Sequence, residues 1–189
     1  QAASFAKYGL NITPQEVLGF GAGKMSTIAE AATRLGASLP DDWVDEIYRD
    51  IYARLELGVP VIDGVLDVLD MLEHSGVSFC LASNGSEEKM AIMLEKQGVL
   101  ARFEGAVFSA HTVGIWKPEP GLFQHAASAM GVLPKDCVVI EDSLTGVLAA
   151  KRANMRCFGY AVDDDAGALE NEGAIIFNNM QQLPELLGV

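Results

Sequence analysis

Apolar positions along the chain fall into two rhythms. Up to about residue 58 they recur at the three- and four-residue spacing of a helix face. Met25, Ile28, Ala29, Ala32 and Leu35 make one such face, and Trp43, Ile47, Ile51 and Leu55 make another. The opening residues read as an amphipathic helix. Pro14 opens a short helix through Phe20, and Gly19-Phe20-Gly21-Ala22-Gly23 reads as a flexible break. The helix after Pro40-Asp41-Asp42 has acidic residues in its first turn, where the helix dipole favours them, and stops before Gly58.

From residue 59 onward, short apolar runs alternate with helical stretches. The runs are Ser78–Ala82, Ala106–Phe108, Cys137–Ile140, Arg156–Tyr160 and Ala174–Phe177. Between them lie a helix capped by Asp63 and stopped at Gly76, and helices over Glu87–Gln97, from Pro120 to Gly131 and over Leu144–Ala153. A last helix runs through Leu187. Alternation of this kind predicts a parallel sheet covered on both faces with right-handed connections. The expected organisation is a helical cap over residues 1–58 and a Rossmann-like, three-layer α/β core over 59–189.

Composition narrows the partners. The chain has 189 residues, 26 acidic against 13 basic, and a net charge of −13. That balance disfavours nucleic acid, which needs a cationic face. No apolar run approaches the roughly 18–20 residues that span a bilayer. Cys80, Cys137 and Cys157 lie in apolar runs without metal-type spacing, so inert thiols in a reducing cytoplasm are expected.

In parallel sheets, ligands bind beyond the carboxyl ends of the strands. That rule selects residues here. Ser83-Asn84-Gly85-Ser86 follows the first run and enters a helix, offering a hydroxyl and successive amides to an anion. The same serines would equally serve as helix caps. Lys117 lies in Trp116-Lys117-Pro118-Glu119-Pro120, where two prolines restrict the backbone. Glu141 and Asp142 end a very apolar run. Adjacent carboxylates there are costly unless paired or metal-bound, and hard oxygen ligands suit magnesium, with manganese an alternative. His111, before Lys117, reads as a structural histidine that a substrate could also approach.

A hydroxyl, a lysine and an acidic pair at successive strand ends resemble the haloacid dehalogenase superfamily. The resemblance spans essentially the whole chain. Cys137-Val-Val-Ile-Glu141-Asp142-Ser143-Leu-Thr-Gly146, with SNGSEEKM and WKPEPGLFQHAASAMGV, is similar to the branch containing β-phosphoglucomutases and 6-phosphogluconate phosphatases. The resemblance implies that Ser83 binds the transferring phosphoryl group, with Asn84 contributing an amide. It implies that Lys117 orients nucleophile and phosphate, and that Asp142 binds Mg2+ with Glu141 as a direct or water-mediated second ligand. The implied chemistry is attack by an aspartate, an aspartyl-phosphate, then hydrolysis. The substrate class is a small phosphorylated metabolite, such as a sugar phosphate or phosphosugar acid. Lys24, beside the glycine-rich segment, is the candidate substrate contact from the cap, with Met25 and Phe20–Gly23 around it. A monomer or weak homodimer is expected.

Two departures stand out. Asn154 follows Ala153 where the family has glycine, and asparagine also tolerates a left-handed backbone. More seriously, the family's first motif, Asp-x-Asp-Gly, does not occur. Asp63-Gly64 lacks a strand before it, and Asp163-Asp164-Asp165 comes at the wrong end of the order. The expectation is that nucleophile and general acid lie upstream of Gln1, so that the chain by itself is inactive. In the family that strand is central, and a sheet without it has two raw edges. Alternatives are a phosphomutase, a metal-independent dehalogenase, a phosphonate hydrolase using Lys24 as a Schiff base, and an inactive phosphate-binding pseudoenzyme.

Overall fold

The computed structural model describes residues 2–13, 16–17, 24–161 and 166–189. The chain divides into two compact units, Gln1–Val59 and Pro60–Val189, one residue from the change of rhythm in the sequence.

Unit 1 is helical: α1 (Ala2–Lys7), α2 (Met25–Arg34) and α3 (Trp43–Glu56). The two apolar stripes meet around Phe5, Ile28, Ala32, Trp43 and Ile47. The Phe5 ring stacks on Trp43 at 4.9 Å. The indole N–H, which burial would otherwise strand, donates to Ser4 Oγ at 3.0 Å. Leu35 departs from its expected place on the buried face. Helix α2 ends at Arg34, so Leu35 becomes the C-cap and is 58% exposed. Most of the helix expected from Pro14 to Phe20, and all of Gly19–Gly23, lie outside the described residues.

Unit 2 is the α/β part. In chain order it contains α4 (Val65–His74), β1 (Leu81–Ser83), α5 (Glu87–Lys96), β2 (Val107–Ser109), α6 (Ala110–Val113), α7 (Gly121–Ala129) and β3 (Val138–Glu141). It continues with α8 (Leu144–Arg152), β4 (Arg156–Tyr160), α9 (Ala166–Asn171), β5 (Ile175–Phe177) and α10 (Leu183–Leu187). Every strand pair is parallel: β1 with β2, β3 with β4, and β4 with β5. The sheet is in two parts, β1–β2 and β3–β4–β5, so among the described residues β1 and β3 each have a strand neighbour on one side only.

Strand β4 shows why both faces read as apolar. Its neighbouring residues point to opposite sides. Cys157 packs with Val139, Val147, Ala150 and Leu169, while Phe158 packs with Val68, Phe177, Met180 and Leu183. The result is a layer of helices on each side of the sheet.

Three local expectations shift. Asp63 does not cap α4. Gly64 takes the N-cap position at φ +84°, where a Cβ would lie 3.0 Å from that of Met180. The first strand begins at Leu81 rather than Ser78, because its partner's ladder starts where Leu81 N–H bonds Ala106 O at 2.9 Å. Cys80 and Cys137 therefore sit just before strands, and only Cys157 is within one. The left-handed residue after α8 is as expected: Asn154 has φ +58°.

Candidate active site

The three segments selected from the sequence come together at the carboxyl ends of β1 and β3. After β1 the chain turns tightly, with Gly85 N–H donating to Ser83 Oγ at 3.0 Å. The capping of α5 falls to Ser86, whose hydroxyl accepts from Lys89 N–H at 3.2 Å. Ser83 is thus not the helix cap. The loop is tied to β2 by Ser109, fully buried, which donates to Gly85 O at 2.7 Å and accepts from His111 N–H at 3.1 Å.

Lys117 reaches across these strand ends. Its Nζ donates to Glu141 Oε1 in an ion pair and lies 3.5 Å from Ala82 O. The Phe123 ring sits 5.4 Å from the ammonium, within cation–π range. The Lys117 peptide is held as well. Asn84 Oδ1 accepts from Lys117 N–H at 2.8 Å, and Asn84 Nδ2 donates to Lys117 O at 3.1 Å. On the next residue, Arg152 Nη1 donates to Pro118 O at 2.9 Å.

Glu141 ends β3 and is buried. Its second oxygen, Oε2, accepts from Ser143 Oγ at 2.8 Å and from Ser143 N–H at 3.3 Å. Ser143 in turn caps α8, accepting from Gly146 N–H at 3.1 Å. A Cβ on Gly146 would overlap the Glu141 carboxylate, so the carboxylate occupies the space that glycine leaves. Both Glu141 oxygens have partners, a role in holding Lys117 and the helix start that the acidic-pair reading did not foresee. Asp142 is exposed and makes no hydrogen bond or ion pair among the described residues.

Among the described residues no cluster of three or more His, Cys, Asp or Glu side chains gathers as a protein-made metal cage. The donor set nevertheless fits magnesium, which characteristically takes one or two carboxylates and completes its shell with water and phosphate. Asp142 offers an exposed carboxylate that such an ion would take, and Glu141 lies next to it in sequence.

The remaining candidates stand elsewhere. Lys24 is in unit 1, exposed, at the N-cap of α2. The His111 ring is edge-on to Trp116 at 5.6 Å. Burial, with the Glu141 charge adding to it, pushes the Cys157 thiol up to about 12. Burial also raises Cys80 and Cys137, which suits inert thiols. Asp163-Asp164-Asp165 lies outside the described residues. Ser109, Gly146 and Arg152 were not anticipated. Ser109 had a legible signal, since it ends β2 as Ser83 ends β1 and pairs with it in register.

The model of the haloacid dehalogenase-like hydrolases matches residues 3–154. The chain belongs to that family. This haloacid dehalogenase-like hydrolase is 29% identical over 185 residues to 6-phosphogluconate phosphatase of Escherichia coli (strain K12), covering 96% of this chain and 82% of the relative. A family hydrolase from Deinococcus radiodurans R1, solved with bound phosphate and sodium, superposes with a TM-score of 0.75 at 28% identity, covering 99% of this chain and 85% of that one. β-Phosphoglucomutase from Clostridium difficile shares the fold, with a TM-score of 0.82 at 21% identity over 99% and 85% of the two chains. The hydrolase is therefore an enzyme with an α/β fold, and no helix among its described residues is long and apolar enough to cross a membrane.

Proposed function

We propose that this hydrolase is a magnesium-dependent phosphatase acting on a small phosphate ester, a sugar phosphate or phosphosugar acid. The observation that carries the reading is the meeting of Ser83, Lys117 and the Glu141–Asp142 pair at two strand ends, with the Lys117 ammonium fixed on Glu141. The relative that dephosphorylates 6-phosphogluconate and the neighbour with bound phosphate support it.

In this reading the Ser83 hydroxyl and the amides after it receive phosphoryl oxygens at the end of β1. Lys117 supplies positive charge where the net charge of the chain is −13 and charge builds on those oxygens. Asp142, with Glu141 beside it, would hold Mg2+, which neutralises phosphoryl charge when bound. An aspartate oxygen attacks phosphorus, the ester oxygen leaves with a proton, and water then releases phosphate from the aspartyl-phosphate. Unit 1 is the cap in this scheme, and Lys24 its contact to the substrate. The free thiols fit a reducing cytoplasm, and a monomer or weak homodimer is expected on gel filtration.

The test is release of phosphate from a panel of sugar phosphates and phosphosugar acids by the protein purified from its natural source. Turnover that needs Mg2+ and ends with chelator supports the reading. Turnover indifferent to chelator, or none with any ester, overturns it. Interconversion of hexose phosphates without phosphate release would make it a mutase. The 189-residue chain, lacking Asp-x-Asp-Gly, is expected to release no phosphate.

A further inference from the structure

A carboxamide carries an acceptor and a donor side by side, so it can pair with both polar atoms of a single peptide residue, the acceptor with the N–H and the donor with the C=O. Asn84 makes that pairing with Lys117, across 33 residues of chain, at 2.8 and 3.1 Å. The two bonds also fix which way the carboxamide points, since the flipped orientation would set donor against donor.

We propose that Asn84 is the positioning residue of Lys117: it locks the lysine's main chain so that the ammonium meets Glu141 at the strand ends instead of solvent. Three observations support this. Lys117 lies in the connection between α6 and α7, outside any helix or strand that would hold it. Its four-carbon stem is flexible and its ammonium strongly hydrated, so an unanchored lysine leaves a buried partner readily. Its side chain is nevertheless only 11% exposed and is paired with Glu141. Arg152 holds the following carbonyl, Pro118 O, at 2.9 Å, but its side chain is 46% exposed, making it the weaker hold of the two. The inference concerns where the ammonium is held; only its catalytic consequence rests on the phosphatase reading.

The experiment is brief acetylation of the 189-residue chain at fixed pH, with the extent at each lysine read by peptide mass spectrometry. Asn84→Ala is expected to raise the rate at Lys117 about tenfold, the scale of two lost hydrogen bonds, while half-buried Lys89 is unchanged. Asn84→Asp keeps the acceptor for Lys117 N–H and loses the donor. It should raise the rate about threefold, and it serves if the alanine variant does not fold. A Lys117 rate equal to wild type in the folded variants, or a rise shared in proportion by Lys89, overturns the proposal. In the natural protein Asn84→Ala should lower kcat. If the wild type hydrolyses no ester, the phosphatase reading falls while the labelling result still decides the role of Asn84.

Discussion

Lys117 and Glu141 form an ion pair across 24 residues of chain, with side chains only 11% and 7% exposed. Removing Glu141 leaves a largely buried ammonium without its countercharge. Glu141→Leu is therefore expected to cost about 3–5 kcal/mol of stability. The double variant Lys117→Met, Glu141→Leu should lose less than the two single changes summed. Urea denaturation of all four proteins checks this; strictly additive losses would mean that the charges are not coupled.

Gly146 gives a prediction whose sign runs against helix propensity. Replacing an interior helical glycine by alanine ordinarily stabilises by about 0.5–1 kcal/mol. Gly146 lies in α8 with the Glu141 carboxylate where its Cβ would be, so Gly146→Ala should destabilise, by about 1–3 kcal/mol. Gly167 in α9 has nothing within 4 Å of a built Cβ. Gly167→Ala should be neutral or stabilising. Melting temperatures that rise for both would show that Glu141 moves aside freely.

Asp142 is the test of the metal. Asp142→Ala in the natural protein should lower phosphatase turnover by about 10²–10³-fold, as should Lys117→Ala, because in the proposed reading Lys117 brings positive charge to the phosphoryl oxygens directly and Asp142 does so through the Mg2+ it would hold. Magnesium titration separates them: the Asp142 variant should need far more Mg2+ for its residual rate, the Lys117 variant should not. Near-normal turnover in either would remove that residue from the site.

Unit 1 carries a pH-dependent contact. Hydrogen bonding from Tyr8 OH, and then from Lys7, holds the Glu46 carboxyl below its ordinary range, and the bond to Glu46 raises the Tyr8 phenol. A depressed carboxylate stabilises the fold above its unfolded value of about 4.3 and stops doing so as pH falls through its folded value. A raised phenol contributes below its unfolded value of about 10, and that contribution is lost as pH rises through the folded one. Tyr8→Phe should therefore melt lower than wild type between about pH 5 and 9, with the difference shrinking in stronger acid. A difference that is constant down to pH 2 would assign the effect to packing.

Much of this molecule is legible as sequence, because its regularities are local. Ser78–Ala82 and Cys137–Ile140 read as strands because they are short apolar runs bounded by turn signals, and the residues that follow those runs are Ser83 and Glu141–Asp142. What stays hidden is relational. Nothing in SNGS says that Ser86 rather than Ser83 caps the helix, since either hydroxyl has the right chemistry. Nothing around Arg152 tells that it reaches Pro118. Gly146 reads as one more glycine until the Glu141 carboxylate is seen in the space beside it. Short elements such as α6 and α9 give too few turns for any periodicity to show.

The contacts that make the site are long in sequence: 24 residues from Ser109 to Gly85, 33 from Asn84 to Lys117 and 24 from Lys117 to Glu141. Helical bonds span four. A folding chain can wind every helix of unit 2 and still have none of the site, since each of these closures costs loop entropy that only the docked strands repay. Competence should thus arrive late and all together in folding.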